Sequence, residues 1–171
     1  MGYVNDTAMS FFVPPTDFQF TSGTWTPTIT SDVLNMTRTQ ADAPFTAIVP
    51  VKIPANSVAL KGAKLKSIDI FYKIHTAAAD DFATVDLNKE VLGADDTAIT
   101  AAAVTGITLD AGHDTAAERK AVDADHVMTI TLDDPAWIDE SDFYWVEMII
   151  DAAATTDVIF FGARVNFTLR V

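Results

Sequence analysis

Residues 143–171 read FYWVEMIIDAAATTDVIFFGARVNFTLRV, and their rhythm decides the fold class. From Ile159 the odd positions are Ile159, Phe161, Ala163, Val165, Phe167, Leu169 and Val171, with Gly162, Arg164, Asn166, Thr168 and Arg170 between them. Side chains along a strand point alternately to the two faces of a sheet, so this pattern predicts a strand with one buried face. Just upstream, Tyr144, Val146, Met148 and Ile150 alternate with Trp145, Glu147, Ile149 and Asp151. The link from Asp151 to Asp157 makes the two runs an expected hairpin. It lacks the Asn-Gly or Gly-Gly of a two-residue turn, so the connection is expected to be longer. Fully burying one Val, Leu, Ile or Phe contributes roughly 1.5–3 kcal/mol as an upper bound, which predicts that so apolar a closing strand is central.

The same alternation recurs upstream. Ile68, Ile70, Tyr72 and Ile74 share a face against Ser67, Asp69, Phe71, Lys73 and His75, and the run Ala83, Val85, Leu87 is expected to pair beside it. Phe45, Ala47, Val49, Val51 and Ile53 form another inward set, and Met128, Ile130 and Leu132 a further one. Trp25 to Thr39 reads as a strand whose Pro27 argues for an edge, because proline cannot donate to a ladder. Residues 97–122 carry a weaker signal. Val104 to Leu109 is expected as a strand, and the stretch from Asp114 to Ala121 as irregular structure with a short strand, a capped helical turn on Asp114 being the alternative. Residues 133–142 read as a loop.

Eight or nine short strands with regular turn signals, and no helix long enough for a parallel crossover, predict an all-β antiparallel sandwich, with the jelly roll preferred within that class. The chain of 171 residues is expected to make one such domain over 25–171, preceded by an extended N-terminal arm over 1–24. That arm carries Phe11, Phe12, Phe18 and Phe20, too apolar for a free tail. It either packs on its own sandwich as an edge strand or crosses to a neighbouring subunit.

Composition excludes several kinds of function. The chain has no cysteine, hence no disulfide framework and no thiolate metal site. Its net charge is −13, a surface that repels nucleic acid. No stretch of about 18 consecutive apolar residues occurs, so no spanning helix and no membrane partner are expected. The N-terminus shows no basic region followed by an apolar core, so no secretory signal is expected. Of the 24 acidic residues 20 are Asp, which favours turns over helix interiors.

Catalytic chemistry finds little support. His75, His113 and His126 are not spaced as a metal pair on one element and read as solvated or hydrogen-bonded histidines, His113 and His126 in Asp-rich loops. No serine sits in a nucleophile elbow, and the glycines build no phosphate loop. Asp80, Asp81, Asp95, Asp96, Asp123, Asp125, Asp133, Asp134, Asp139 and Asp142 could in principle supply a hydrolytic pair or a calcium site, but Asp is what turns use. No catalytic residue, metal or cofactor is expected. Charge is unevenly placed: residues 61–73, with Lys61, Lys64, Lys66 and Lys73 against Asp69, are net +3 while residues 74–171 are −14. This basic island suits a neighbour's acidic loops, or else blunts a sheet edge. Trp145 is expected in the core, and Trp137 either packs there or makes a contact.

Two segments, Ile48-Val-Pro-Val-Lys-Ile-Pro-Ala-Asn56 continuing through Gly62-Ala-Lys-Leu-Lys-Ser-Ile-Asp-Ile-Phe-Tyr-Lys73, and Asp151-Ala-Ala-Ala-Thr-Thr156 with Phe161-Gly-Ala-Arg-Val-Asn-Phe-Thr-Leu169, resemble small β-sandwich structural proteins of tailed bacteriophages. The resemblance covers residues 45–171 loosely and rests on core and turn patterns; the arm has no counterpart. It implies a virion component, first of all a capsid decoration (cement) protein bound as a homotrimer to the major capsid protein and to copies of itself. Phe11, Phe12, Phe18, Phe20, Lys61, Lys64, Lys66 and Trp137 are the expected interface residues. The alternative is a tail-fibre or tail-tip head domain that binds a host glycan through the Trp137 loop.

Overall fold

The computed structural model describes residues 6–54, 62–92 and 99–170. In chain order the elements are β1 (Asp6–Val13), β2 (Gln19–Phe20), β3 (Trp25–Thr30), β4 (Val33–Arg38), β5 (Ala43–Val51), β6 (Ala63–His75), β7 (Asp81–Val91), β8 (Thr100–Ala103), β9 (Ile107–Leu109), the helical turn α1 (Ala116–Arg119), β10 (Asp125–Trp137), β11 (Asp142–Ala152) and β12 (Asp157–Arg170). They form two antiparallel sheets. One runs β3-β4-β12-β6-β10-β9 with β1 also on β12, and the other runs β2-β5-β11-β7-β8.

From β4 to β7 successive strands alternate between the sheets, β8 then pairs with β7 and β9 with β10, and β10, β11 and β12 alternate again, leaving β4-β12-β6-β10 facing β5-β11-β7-β8. That order is the predicted jelly roll. The period-two pattern explains it, because each strand has one apolar face and only a facing sheet can cover it. Ile68, Ile70, Tyr72 and Ile74 of β6 and Met128 and Ile130 of β10 meet Phe45, Ala47 and Val49 of β5 and Val146, Met148 and Ile150 of β11, all buried. β12 is central as expected. β6 pairs along one side of it from Asp157 to Leu169, while β4, at Ile159 and Phe160, and β1, from Ala163 onward, share the other.

Several expectations are corrected. β11 and β12 are not a hairpin: they lie in opposite sheets, and the link between them crosses the end of the sandwich, where Thr156 Oγ1 donates to the Ala78 carbonyl at 3.0 Å. Nor do β6 and β7 pair. Alternation identifies the buried residues of a strand but not the layer that the strand joins.

Within β12 the buried parity changes. Phe160 opposes Tyr72 and Gly162 opposes Phe71, so Phe161 is an extra, bulged residue. Before the bulge Val158 and Phe160 face inward; after it Ala163, Val165 and Phe167 do. Ile159 and Phe161, expected in the core, therefore point to the outer face. Val171 lies outside the described residues. A similar shift on β7 puts Phe82 inside and Ala83 outside.

The stretch Trp25 to Thr39 is a hairpin rather than one strand, turning at Ser31 and Asp32, both with positive φ (50° and 67°). Pro27 does lie on the edge strand, β3. Trp145 lies half-buried on the outer face of its sheet, its ring 5.6 Å from that of Phe143, because Tyr144 and Val146 take the inner positions. The region of Asp114 contains α1, and Thr115 rather than Asp114 caps it in a capping box with Glu118. The supposed loop 133–142 is strand as far as Trp137. The arm lies on its own sandwich, β1 along β12 and β2 along β5, so it straps the two sheets together.

Candidate docking surface

The outer face of the seven-stranded sheet carries a groove of about 770 Å³. Its floor is Phe71 of β6, Val127 of β10 and Ile159 and Phe161 of β12; the β3–β4 hairpin forms one wall with Val33, Asn35 and Thr37, and Phe12 of β1 closes an end. The bulge makes the floor apolar, since without it Phe161 would point away from this face. Phe12, Val33 and Val127 are 54%, 48% and 46% exposed, so the apolar surface is continuous and uncovered. The rim is polar: Lys73 Nζ lies 3.4 Å from Asp125, and His75 Nδ1 is bonded to Asp123.

Beside the groove the same face becomes polar around Asp69. This buried carboxylate accepts from Thr129 Oγ1 at 2.8 Å, Arg164 Nε at 2.9 Å and Asn166 Nδ2 at 3.0 Å, while Arg164 Nη2 lies 2.8 Å away. The guanidinium of Arg164 also stands 5.7 Å from the centre of the Phe71 ring. A paired buried carboxylate of this kind fixes the side chains around it, and here it borders the groove floor.

The residues expected at an interface fall into three places. Phe11 and Phe12 are on β1, both exposed, and Phe12 belongs to the groove. Phe18 is in the chain's own core, 5.5 Å from the Phe160 ring, and Phe20, on β2 of the strap itself, stacks on Trp25 at 3.6 Å. Lys64 stands 5.9 Å over the ring of Trp137, at the end of β6 opposite the groove, and Lys66 is exposed beside it. Lys61 lies outside the described residues, as do Asp95 and Asp96. The groove residues Phe71, Val127, Ile159 and Phe161 are not among those expected; the glycine inside the apolar run of β12 is the signal for the bulge that adds Phe161 to this face.

Next to the groove, residues 110–124 close one end of the sandwich. Arg119 is buried and spends its donors on carbonyls: Nε to Phe82 at 2.8 Å, Nη1 to His113 at 2.8 Å and Asp114 at 3.2 Å, Nη2 to Ala83 at 3.0 Å. Phe82 and Ala83 belong to β7, so the guanidinium ties this cap to the opposite sheet. Tyr72 Oη donates to the Arg119 carbonyl at 2.8 Å, and burial pushes the Tyr72 phenol well up, which keeps it neutral. His113 and His126, read as solvated or hydrogen-bonded histidines in Asp-rich loops, are buried and hydrogen-bonded to each other, His126 on β10 and stacked 4.6 Å from the Tyr72 ring.

Among the described residues, no three His, Asp or Glu side chains gather as a metal ion would require. Two of the candidate acids have local partners: Asp133 accepts from Thr108 at 2.7 Å and Asp142 lies 2.8 Å from Lys89.

Fold and surface together define a jelly-roll sandwich with an open apolar groove on one face. No protein-family model and no curated protein matches the chain. Among solved structures it is similar to a family two carbohydrate esterase from Cellvibrio japonicus, with a TM-score of 0.43 and 8% identity over 98% of this chain and 36% of that one. The chain thus spans about a third of the esterase's length. A likeness at that level carries no conclusion about activity.

Proposed function

We propose that this chain is a structural protein of a tailed-phage virion, a decoration protein that docks on the capsid and on copies of itself. The observation that carries this reading is the uncovered apolar surface running from β1 across the groove to the β3–β4 hairpin. Contiguous apolar patches of this kind mark interaction sites on single chains. Among the described residues β1 pairs only along its β12 side, and Met9, Phe11 and Phe12 on it are all exposed. Its outer edge is suited to a second copy, and the groove to the shell. The exposed Lys66 suits a neighbour's acidic loops. The resemblance of residues 45–171 to phage sandwich proteins supplies the setting, and binding to a preformed lattice would stabilise the shell by mass action.

The test is attachment of purified protein to bare shells. Val33→Glu and Val127→Glu place a charge in the groove without touching the core. Both are expected to weaken attachment about tenfold or more at an unchanged melting temperature. Attachment equal to that of the parent in both variants would refute the docking role of the groove.

A second reading is favoured by Trp137, 39% exposed at the far end of β10. A tail-fibre or tail-tip head domain could stack a host glycan there. It predicts that Trp137→Ala weakens adsorption to host cells, and parental adsorption would count against it.

A further inference from the structure

Three hydrogen bonds run in line through the buried cap beside the groove, and together they fix a proton count. Asp110 Oδ1 is 2.8 Å from His113 Nδ1, His113 Nε2 is 3.0 Å from His126 Nδ1, and His126 Nε2 is 2.8 Å from the Ala121 carbonyl oxygen. A carbonyl only accepts, so His126 Nε2 carries a hydrogen. Both oxygens of Asp110 accept backbone N–H groups, Oδ1 from Gly112 at 3.0 Å and Oδ2 from Thr129 at 2.7 Å. Although burial acts against it, these N–H groups and the His113 ring hold the Asp110 carboxyl below its usual range, so it is ionised near neutral pH and His113 Nδ1 carries a hydrogen too. Between the two rings there is then either one more hydrogen or a pair of opposed lone pairs, at a place where His113 and His126 are only 8% and 7% exposed. The bond exists only when the two imidazoles hold three N–H hydrogens between them.

We propose that His113 and His126 share one extra proton, balanced by Asp110, and that this proton latches the cap of residues 110–124 onto β10 at the end of the sandwich. The charge resides on His113, which faces the carboxylate, while His126 is the neutral Nε2–H tautomer accepting at Nδ1. Burial lowers the proton affinity of His126, in keeping with that division. The carboxyl of Asp110 feels burial first, which raises it, but the backbone N–H groups of Thr129 and Gly112 and the His113 ring together hold it below the usual carboxylate range. The other groups facing the pair are Tyr72 of β6, neutral; Arg119 of α1, whose guanidinium bonds the His113 carbonyl; Asp114 and Glu118 at the α1 N-terminus; and Asp125 of β10. None of these occupies the gap between the rings.

The sign of the pH dependence follows. An unfolded chain has lost such a proton above its ordinary value of about 6.5, so the latch contributes stability that disappears as pH rises through its release. In acid, the unfolded chain charges both rings whereas the buried pair resists the second proton, so stability also falls below about pH 6.5. His126 and Asp125 line the groove, so the latch sits directly behind the docking surface. The inference rests on the cap's geometry and does not depend on the virion assignment.

The experiment is histidine 15N NMR on the isolated full chain between pH 5 and 10, with amide exchange read on the same samples. At pH 7 the His113 ring is expected to be protonated at both nitrogens and His126 at Nε2 alone. Loss of the shared proton on raising pH should speed exchange of the His113 and Arg119 amides about tenfold relative to that of Ile70, beyond the base-catalysed rise common to all. Two neutral rings at pH 7, or titration with no selective change in exchange, would overturn the proposal. Asp110→Asn keeps an acceptor oxygen but removes the counter-charge, and it should lower the pH of proton release by about one unit or more. An unshifted release would also contradict the account, and if that variant does not fold the measurement on the parent chain still decides.

Discussion

The ring of Phe12 rests on the bare α-carbon of Gly162: a Cβ built there would stand 2.6 Å from Phe12 Cζ and 2.7 Å from the Val13 carbonyl oxygen. Gly162 also has a φ of +128°, which side-chain-bearing residues rarely adopt. One glycine thus permits the bulge that turns Phe161 outward and the close approach of β1 that shuts one end of the groove. Gly162→Ala should destabilise the fold by about 2–4 kcal/mol, from backbone strain plus overpacking against main chain. Urea denaturation reads the loss, and limited proteolysis should show β1 cut first. Parental stability would mean that Phe12 and Gly162 are not in contact.

Arg119 satisfies four carbonyls from inside the sandwich. Removing its guanidinium leaves buried acceptors without donors, so Arg119→Ala should cost about 3–5 kcal/mol in denaturant unfolding. Arg119→Lys should recover little, because one ammonium cannot present a planar fork to Phe82, Ala83 and His113 together.

How far such features could be read in advance differs from strand to strand. In β5, in β11, and in the Ile68–Ile74 run of β6 and the Met128–Leu132 run of β10, a single apolar parity separates inside from outside, and Val49, Ile70, Ile130 and Val146 are buried as the alternation requires; at the start of β6 the parity slips, Ala63 and Leu65 being buried instead. Sheet membership is invisible to that rhythm, which is why β11 and β12 read as a hairpin. At Val158-Ile-Phe-Phe161 every position is apolar, so both parities fit and only Gly162 hints at the slip. His113 and His126 are thirteen residues apart and meet because the cap folds back on β10, a tertiary event that no local spacing encodes.

The hairpin wall of the groove turns through Ser31 and Asp32, and left-handed backbone costs residues with a Cβ about 1–2 kcal/mol. Asp32→Gly should therefore raise stability by roughly 0.5–1 kcal/mol, the larger freedom of glycine in the unfolded chain offsetting part of the gain. Thermal melts of the single variant check this, and a lowered midpoint would argue against a turn of this type.

Lys89 and Asp142 join β7 to β11 at 2.8 Å, and the hydrogen bond to Asp142 is the main reason that the Lys89 ammonium holds its proton above the ordinary lysine value, burial opposing it. A group raised on folding stabilises below its unfolded value and loses that contribution as pH climbs through the folded one. Stability should thus fall more steeply above about pH 10.5 in the parent than in Lys89→Met. Identical alkaline limbs would show that the pair contributes nothing.

Copy number per particle tests the central proposal most directly. Quantitative densitometry of purified virions, calibrated against the major capsid protein, should find this chain in hundreds of copies if it decorates the shell. A handful of copies would place it in the tail or a fibre, and none at all would remove it from the virion and contradict the account.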